Sequence, residues 1–158
     1  RPTSPGVAGV AALLAVLALL VSGCKVDVPQ TKVSEADQAA CRALVAALPG
    51  SVSDQKRRET TGNPLAAAWG DPAIVLRCGV GEPADYDPLV GCQTVNGMDW
   101  YVPQKGMNDQ DEDVVMTTYG REPAVEVRLP AQYRPPVAAM VDLAAAIGKH
   151  TRVVKRCS

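Results

Sequence analysis

The chain has no phenylalanine, a single histidine (His150), and no serine between Ser53 and Ser158. Each absence removes a chemistry. A serine hydrolase needs a nucleophile beside a base, usually on a sharp G-x-S-x-G turn; here Ser34 reads as a helix cap and Ser51 and Ser53 as loop residues. One imidazole and no C-x-x-C leave neither a zinc-ligand set nor any other metal site in view. The Gly79-Val80-Gly81 stretch lacks the following residues and lysine of a phosphate loop, so no cofactor motif is present. Basic residues do not exceed acidic ones, 16 against 17, which excludes the electrostatic footprint of a nucleic-acid binder. Aromatic side chains make up 4% of the chain, too few to suggest a sugar-lined cleft.

What is abundant is apolar and lies at the start. Val7 to Val21 is an unbroken run of Ala, Gly, Val and Leu, followed by Ser22-Gly23-Cys24 and then charge at Lys25 and Asp27. The run has the length of a secretory h-region and is shorter than the ~20 residues that span a bilayer. The chain opens with Arg1 rather than Met, so the start of this leader is expected upstream. Leu20-Val21-Ser22-Gly23-Cys24 resembles the lipobox of bacterial lipoproteins. That resemblance implies cleavage before Cys24 and a diacylglyceryl group on its thiol, whose thiolate is a strong nucleophile for the transfer. The expected division is therefore a signal peptide over 1–23, a lipidated tether over 24–33 and one domain over 34–158.

Setting Cys24 aside leaves Cys41, Cys78, Cys92 and Cys157, an even number that reads as two disulfides in an oxidising compartment. Three pairings exist. Cys78 and Cys92 border a loop rich in Pro, Asp and Gly, and the expected pairing is Cys78–Cys92 with Cys41–Cys157. Against it, hairpin register puts Cys92 opposite Tyr101, on the face away from Met98 and Trp100, whereas Cys78 shares a face with Ile74 and Leu76. A bulge beside Gly79 would reconcile the faces. Cysteine catalysis needs a free thiol beside His150, and these bridges use the candidates; His150 itself is expected on the surface.

Ser34 with Glu35 and Asp37 marks a helix start. Cys41, Leu44, Val45 and Leu48 then form an inward stripe, ended by Pro49-Gly50. Strands are predicted weakly over Gln55–Thr60 and strongly over Ala73–Gly79. Asn96-Gly97 is predicted to close a type I′ hairpin between Gly91–Val95 and Met98–Val102. Val114–Tyr119 and Ala124–Leu129 are further strands, split by 120–123. Pro135-Pro136 start a second helix with Val137, Met140, Val141, Ala144 and Ile147 facing inward and Gly148 as its stop. Thr151–Lys155 is expected to add a short final strand. The fold class is α+β: an antiparallel sheet with an N-terminal and a C-terminal helix packed on it, stapled by two disulfides.

The segment Ala67-Ala68-Trp69-Gly70-Asp71-Pro72-Ala73-Ile74-Val75-Leu76-Arg77-Cys78-Gly79 resembles the signature of an actinobacterial envelope family known as domain of unknown function 3515. The lipobox-like leader, the helix carrying Cys41, the strand Trp100-Tyr101-Val102 and Cys157 extend the likeness over nearly the whole chain. The resemblance implies an exported or membrane-anchored protein of high-GC Gram-positive bacteria. It implies no reaction, substrate or catalytic residue. An Ala-rich, Phe-free composition agrees with a GC-rich genome.

Three features bear on function. Asp109, Asp111 and Asp113 have the 1-3-5 spacing of a calcium loop, but Val114 and Gly120 stand where such a loop needs Gly and a bidentate Glu, so a solvated connection is expected. Trp69, Asp71 and Arg77 are the candidate binding surface; folding alone also explains them, as a core-edge ring, a turn starter and an ion-pair partner. Glu59, Glu82, Asp99, Glu122 and Glu126 are the carboxylates that would have to meet for a glycan hydrolase, and their spacing recommends no pair. The expectation is a non-catalytic binding or accessory lipoprotein on the extracytoplasmic face of the cell membrane. Its partners would be the membrane, through the lipid, and an envelope protein or ligand. A carboxylate hydrolase and a structural assembly partner are the alternatives.

Overall fold

The computed structural model describes residues 24–83, 85–87 and 89–157; the leader and the lipobox residues before Cys24 lie outside them, as does Ser158. In chain order the elements are β1 (Val26–Asp27), α1 (Glu35–Ala47), β2 (Ser51–Val52), β3 (Gln55–Arg58), β4 (Thr60–Thr61) and β5 (Ala66–Trp69). Then come β6 (Ile74–Val80), β7 (Gln93–Val95), β8 (Met98–Tyr101), α2 (Gln104–Asn108) and β9 (Val114–Thr118). The chain closes with β10 (Arg121–Glu122), β11 (Ala124–Leu129), α3 (Val137–His150) and β12 (Arg152–Val153).

Eight strands form one sheet in the order β2-β3-β5-β6-β11-β9-β8-β7, each antiparallel to its neighbours. Register explains the core. On β6, Ile74, Leu76 and Cys78 are buried and lie level with Trp69 and Ala67 of β5 and with Val127 and Val125 of β11. Met116 and Val114 of β9 extend the same apolar face. Both α1 and α3 pack on the sheet and against each other, covering that face. Val75 and Arg77 point to the opposite, half-exposed face. The mixed helix–sheet class, with a large antiparallel sheet, is as the sequence suggested.

Local chemistry fixes the first helix. The Ser34 hydroxyl accepts from the Asp37 N–H at 3.2 Å, and Glu35 and Asp37 sit in the first turn. Its far end carries no basic residue of its own. Instead Arg57 of β3 donates to the carbonyls of Val45 (3.1 Å) and Leu48 (3.4 Å), while its guanidinium lies 5.3 Å from the Trp69 ring centre. Trp69 Nε1 in turn donates to Pro49 O at 3.0 Å, so α1, β3 and β5 share one polar seam.

The β7–β8 turn is as predicted: Asn96 and Gly97 both have positive φ (48° and 72°), as a type I′ turn requires. The bulge beside Cys78 is also present. Val80 pairs with Ala124 and Cys78 with Val125, leaving Gly79 (φ 79°) as the extra residue. A Cβ there would stand 2.5 Å from the Val33 side chain, so glycine is required for close approach as well as for backbone.

Several expectations are corrected. The bridges are Cys41–Cys78 and Cys92–Cys157, with Cα separations of 5.5 and 6.0 Å, not Cys78–Cys92 and Cys41–Cys157. The sheet order is the reason. β11, β9 and β8 lie between β6 and β7, so at ~4.8 Å per strand Cys78 and the start of β7 are roughly 15–20 Å apart. A disulfide reaches about 7 Å between Cα atoms. The bulge therefore serves a helix contact rather than a loop staple. The second correction concerns α3. It buries Ala139, Met140, Leu143, Ala144 and Ile147, leaving Val137 and Val141 exposed at 46% and 44%. Turning the helix toward Leu143 buries a larger side chain than either valine offers. Gly148 does not end it; the helix continues to His150, and Thr151 caps it through its N–H (3.0 Å) and hydroxyl (2.8 Å) to Ile147 O. His150 is half-buried, with its Nε2 enclosed, rather than on the open surface.

The first and last described segments each pair in a small two-stranded sheet beside the main one. Residues 24–33, expected as a tether, are bonded along their length: β1 pairs with β4, Val28 is 2% exposed, and Asn63 Nδ2 donates to Pro29 O and Thr31 Oγ1 at 3.0 Å each. The tail forms β12, as expected, but pairs with β10 outside the main sheet. Among the described residues no helix is long and apolar enough to cross a membrane.

This packing sets the cost of truncation. Ile74→Ala should lower stability by about 2–5 kcal/mol in urea unfolding, as for other buried aliphatic side chains. Asp71→Ala should stay within about 1 kcal/mol, since that carboxylate is exposed and pairs loosely with Arg58, at 3.6 Å. Peptide mapping without reductant should recover Cys41 joined to Cys78 and Cys92 to Cys157. Recovery of Cys78 joined to Cys92 would contradict the sheet order.

Candidate functional site

β6 and β9 finish, and β11 begins, at the same end of the sheet. Their connections therefore cluster there together with the residues that precede α1 and the C-terminal tail. Between them lies a cleft of about 560 Å³, bounded by Lys32–Ser34, the 79–83 stretch with Tyr86, the Tyr119–Pro123 turn and Val154–Lys155. A smaller hollow of about 190 Å³ adjoins it beside Cys92 and shares Tyr86, Tyr101, Tyr119 and Lys155.

The chain has four tyrosines, and three meet here. Tyr101 projects from β8 on the face away from the core and is almost fully buried. Its hydroxyl donates to Asp85 O at 2.6 Å and accepts from the Asp87 N–H at 3.1 Å, which pins the loop carrying Tyr86. Tyr86 lies against Tyr101 (ring centres 5.1 Å apart, planes tilted by 58°) and stacks near Tyr119 (5.9 Å). The Tyr86 hydroxyl donates to that of Tyr119 at 3.2 Å, and the Lys155 ammonium sits 5.0 Å from the Tyr119 ring centre. The cluster splits the phenols electrically. Interaction with the Lys155 ammonium, then with the Tyr86 hydroxyl, pulls Tyr119 below the ordinary tyrosine value. Tyr86, bonded to Tyr119, is pushed up.

Two features hold Lys155 in place. Gly120 (φ 60°) offers its carbonyl to the N–H groups of Val154 (2.9 Å) and Lys155 (3.1 Å), and a Cβ at Gly120 would fall 2.2 Å from Lys155 O. Farther along, buried Asp99 accepts from the Cys157 N–H at 3.1 Å and from Thr94 Oγ1 at 2.7 Å. Burial pushes the Asp99 carboxyl up. The hydrogen bonds from Thr94 and Cys157, with Arg156 and Arg121 nearby, outweigh that and hold it below the usual carboxylate range. The Cys92–Cys157 bridge fastens the same tail.

Charges around the cleft balance: Lys32, Arg121 and Lys155 against Asp37, Glu82 and Glu122. Such a surface suits an uncharged or zwitterionic ligand with flat apolar faces, and it lacks the positive excess that a polyanion demands.

The residues singled out from sequence do not converge. Trp69 is fully buried on the helix-covered face. Arg77 lies on the other face and pairs with Glu126, its Nε at 3.1 Å and a terminal nitrogen at 2.5 Å from Oε1. Asp71 stands exposed in the β5–β6 turn, at the end away from the cleft. Most of the five carboxylates have partners of their own: Glu59 with Lys25, Glu122 with Arg152, Glu126 with Arg77, and Asp99 with the tail. Glu82 is at the cleft rim. Asp113 is taken by Arg128 and the Ala131 N–H, and Asp109 by the Asp111 N–H, so the acidic run is a braced turn. Tyr86, Tyr101, Tyr119 and Lys155 share no sequence motif. What could have found them is the strand layout, which sends the stretch after β6, the 119–123 turn and the tail to one end.

A protein-family model described as protein of unknown function, DUF3515, matches residues 5–155 of the chain. No curated protein and no solved structure matches it.

Two titrations test this site. In a pH titration of phenolate absorbance, the low-titrating phenol should vanish in Tyr119→Phe and move up in Lys155→Met; a Lys155→Met curve identical to wild type would contradict the contact. For Asp99 the folded value is depressed, so its contribution is complete above about pH 4, near the unfolded carboxyl value, and is lost as pH falls through the folded value. Urea midpoints of Asp99→Asn should lack that part of the acid dependence.

Proposed function

The chain belongs to the DUF3515 family, and from that premise and the cleft we propose that it is an extracytoplasmic lipoprotein of actinobacteria that binds an envelope component without catalysis. The anchor is the Cys24 thiol, which is exposed and free of any bridge. The apolar run from Val7 to Val21 and the small residues before Cys24 support that role. One acyl chain binds membranes only marginally, and a diacylglyceryl group supplies the two that stable anchoring needs. The four remaining cysteines form two bridges, which fits an oxidising compartment.

The observation that carries the binding role is the tyrosine cleft. It offers stacked rings, phenol hydroxyls and a charge-balanced rim, which together can grip a neutral or zwitterionic envelope polymer or peptide. Loops at a sheet end are where a rigid scaffold usually presents recognition residues.

Intact mass of the membrane fraction tests the anchor: wild type should carry the diacylglyceryl mass on Cys24, and Cys24→Ala should remain as unmodified precursor. A mature protein without lipid would sink this part of the account. The binding role is tested by Tyr119→Ala combined with Lys155→Ala. That pair should leave both bridges and the melting temperature close to wild type while reproducing the deletion phenotype. Full function in the double variant would place the activity elsewhere.

A further inference from the structure

An anchored domain normally hangs from a flexible linker, and its orientation is then undefined. Here no linker is left. Arg58 donates to Cys24 O at 2.5 Å, and its other terminal nitrogen donates to Gly70 O at 3.0 Å, which ties the anchor residue to the β5–β6 turn. Lys25 pairs with Glu59 at 3.1 Å; the Val26 and Val28 N–H groups bond to Glu59 O and Thr61 O, each at 2.9 Å. Gln30 donates to Gly62 O, Asn63 holds Pro29 and Thr31, and Val33 closes against Gly79. The segment thus begins at the turn preceding β6 and ends where β6 finishes. Its nine steps reach ~30 Å at full extension, and the seven residues of β6 cover ~20 Å. Contacts begin at Cys24 itself, so no free chain separates the lipid from the fold.

We propose that residues 24–33 are a fixed strap that sets the domain's orientation on the lipid surface. The end carrying Cys24 and the Gly70–Ala73 turn rests on the headgroups, and the tyrosine cleft opens at the far end, roughly 20 Å farther from the membrane. Lys56, whose carbonyl accepts from the Gly70 N–H, is exposed at the membrane-facing end, where a cation meets anionic headgroups; Lys25 and Arg58 at that end are already paired with Glu59 and Asp71. Held this way, the cleft takes its ligand from the aqueous or wall side and not from the bilayer. The proposal rests on the anchor at Cys24, and its test separates the two.

The native protein is reconstituted in bicelles of phosphatidylcholine and phosphatidylglycerol doped with a gadolinium-headgroup lipid, and amide relaxation enhancement is read residue by residue. In a second arm the chain from Cys24 onward is coupled through that thiol to a maleimide lipid in the same bicelles. Relaxation falls with the inverse sixth power of distance, so a ~20 Å difference in depth makes the enhancement at Lys56 and Asp71 roughly tenfold or more that at Tyr86 and Tyr119. Inserting a Gly/Ser linker of roughly 12 residues after Cys24, with a reach of ~20 Å, should erase that contrast while leaving the strap contacts from Lys25 onward in place. Equal enhancement at both ends in the coupled arm, or a stronger effect at the cleft, overturns the strap. A coupled arm that keeps the contrast beside a native protein without lipid supports the strap and rejects the anchor.

Discussion

The Cys41–Cys78 bridge ties α1 to the central strand, and most of the architecture depends on that tie. Both cysteines are fully buried, one on the inward stripe of the helix and the other on the face of Ile74 and Leu76. With α1 fixed there, the core face of the sheet is decided: Trp69 can reach Pro49, and Arg57 can cap the helix from below. The core has no phenylalanine, and Trp69, Trp100, methionines and aliphatic side chains hold its layers in register. A covalent contact between helix and sheet adds to this by limiting the unfolded chain as well as the folded one.

The cleft end is built from ties of a different kind. The strap reaches it at Val33 and the tail at Lys155, and each arrives where a glycine allows backbone to pass: Gly79 under Val33, Gly120 beside Lys155. Asp99 and the Cys92–Cys157 bridge then hold the tail against β8. The tyrosines gather above these contacts, so the cleft is a product of how residues 24–33 and the tail are secured. A side chain at Gly79 or Gly120 would disturb the cleft without touching a tyrosine.

Elements with strong local chemistry were legible in the sequence. Ser34 with its two acidic neighbours defined α1, Asn96-Gly97 defined the hairpin, and the alternation from Ile74 to Cys78 defined β6. Even the bulge at Gly79 could be anticipated. The disulfide partners could not, although the inward place of Cys41 and the shared face of Cys78 with Leu76 were both readable. Pairing them required knowing that β11 and β9 insert between β6 and the β7–β8 hairpin, and strand order is a non-local property. The buried face of α3 was ambiguous because Val, Ala, Leu and Ile occupy several overlapping stripes. The two-residue strands β1, β2, β4 and β10 carry too little pattern to announce themselves, so the pairing of residues 24–33 is not legible in the sequence. The cleft was hidden most deeply, since its tyrosines are spread over one strand and two connections and meet only through topology.

The central claim is that the cleft is the working end of the molecule, facing away from the anchor. In-cell photocrosslinking from single positions tests it most directly, comparing Glu82→benzoylphenylalanine at the cleft rim with Asp71→benzoylphenylalanine at the opposite turn. The account predicts a discrete envelope adduct from position 82 that disappears when Tyr119→Ala is added, and lipid adducts from position 71. A discrete partner captured at 71 and none at 82 would contradict it.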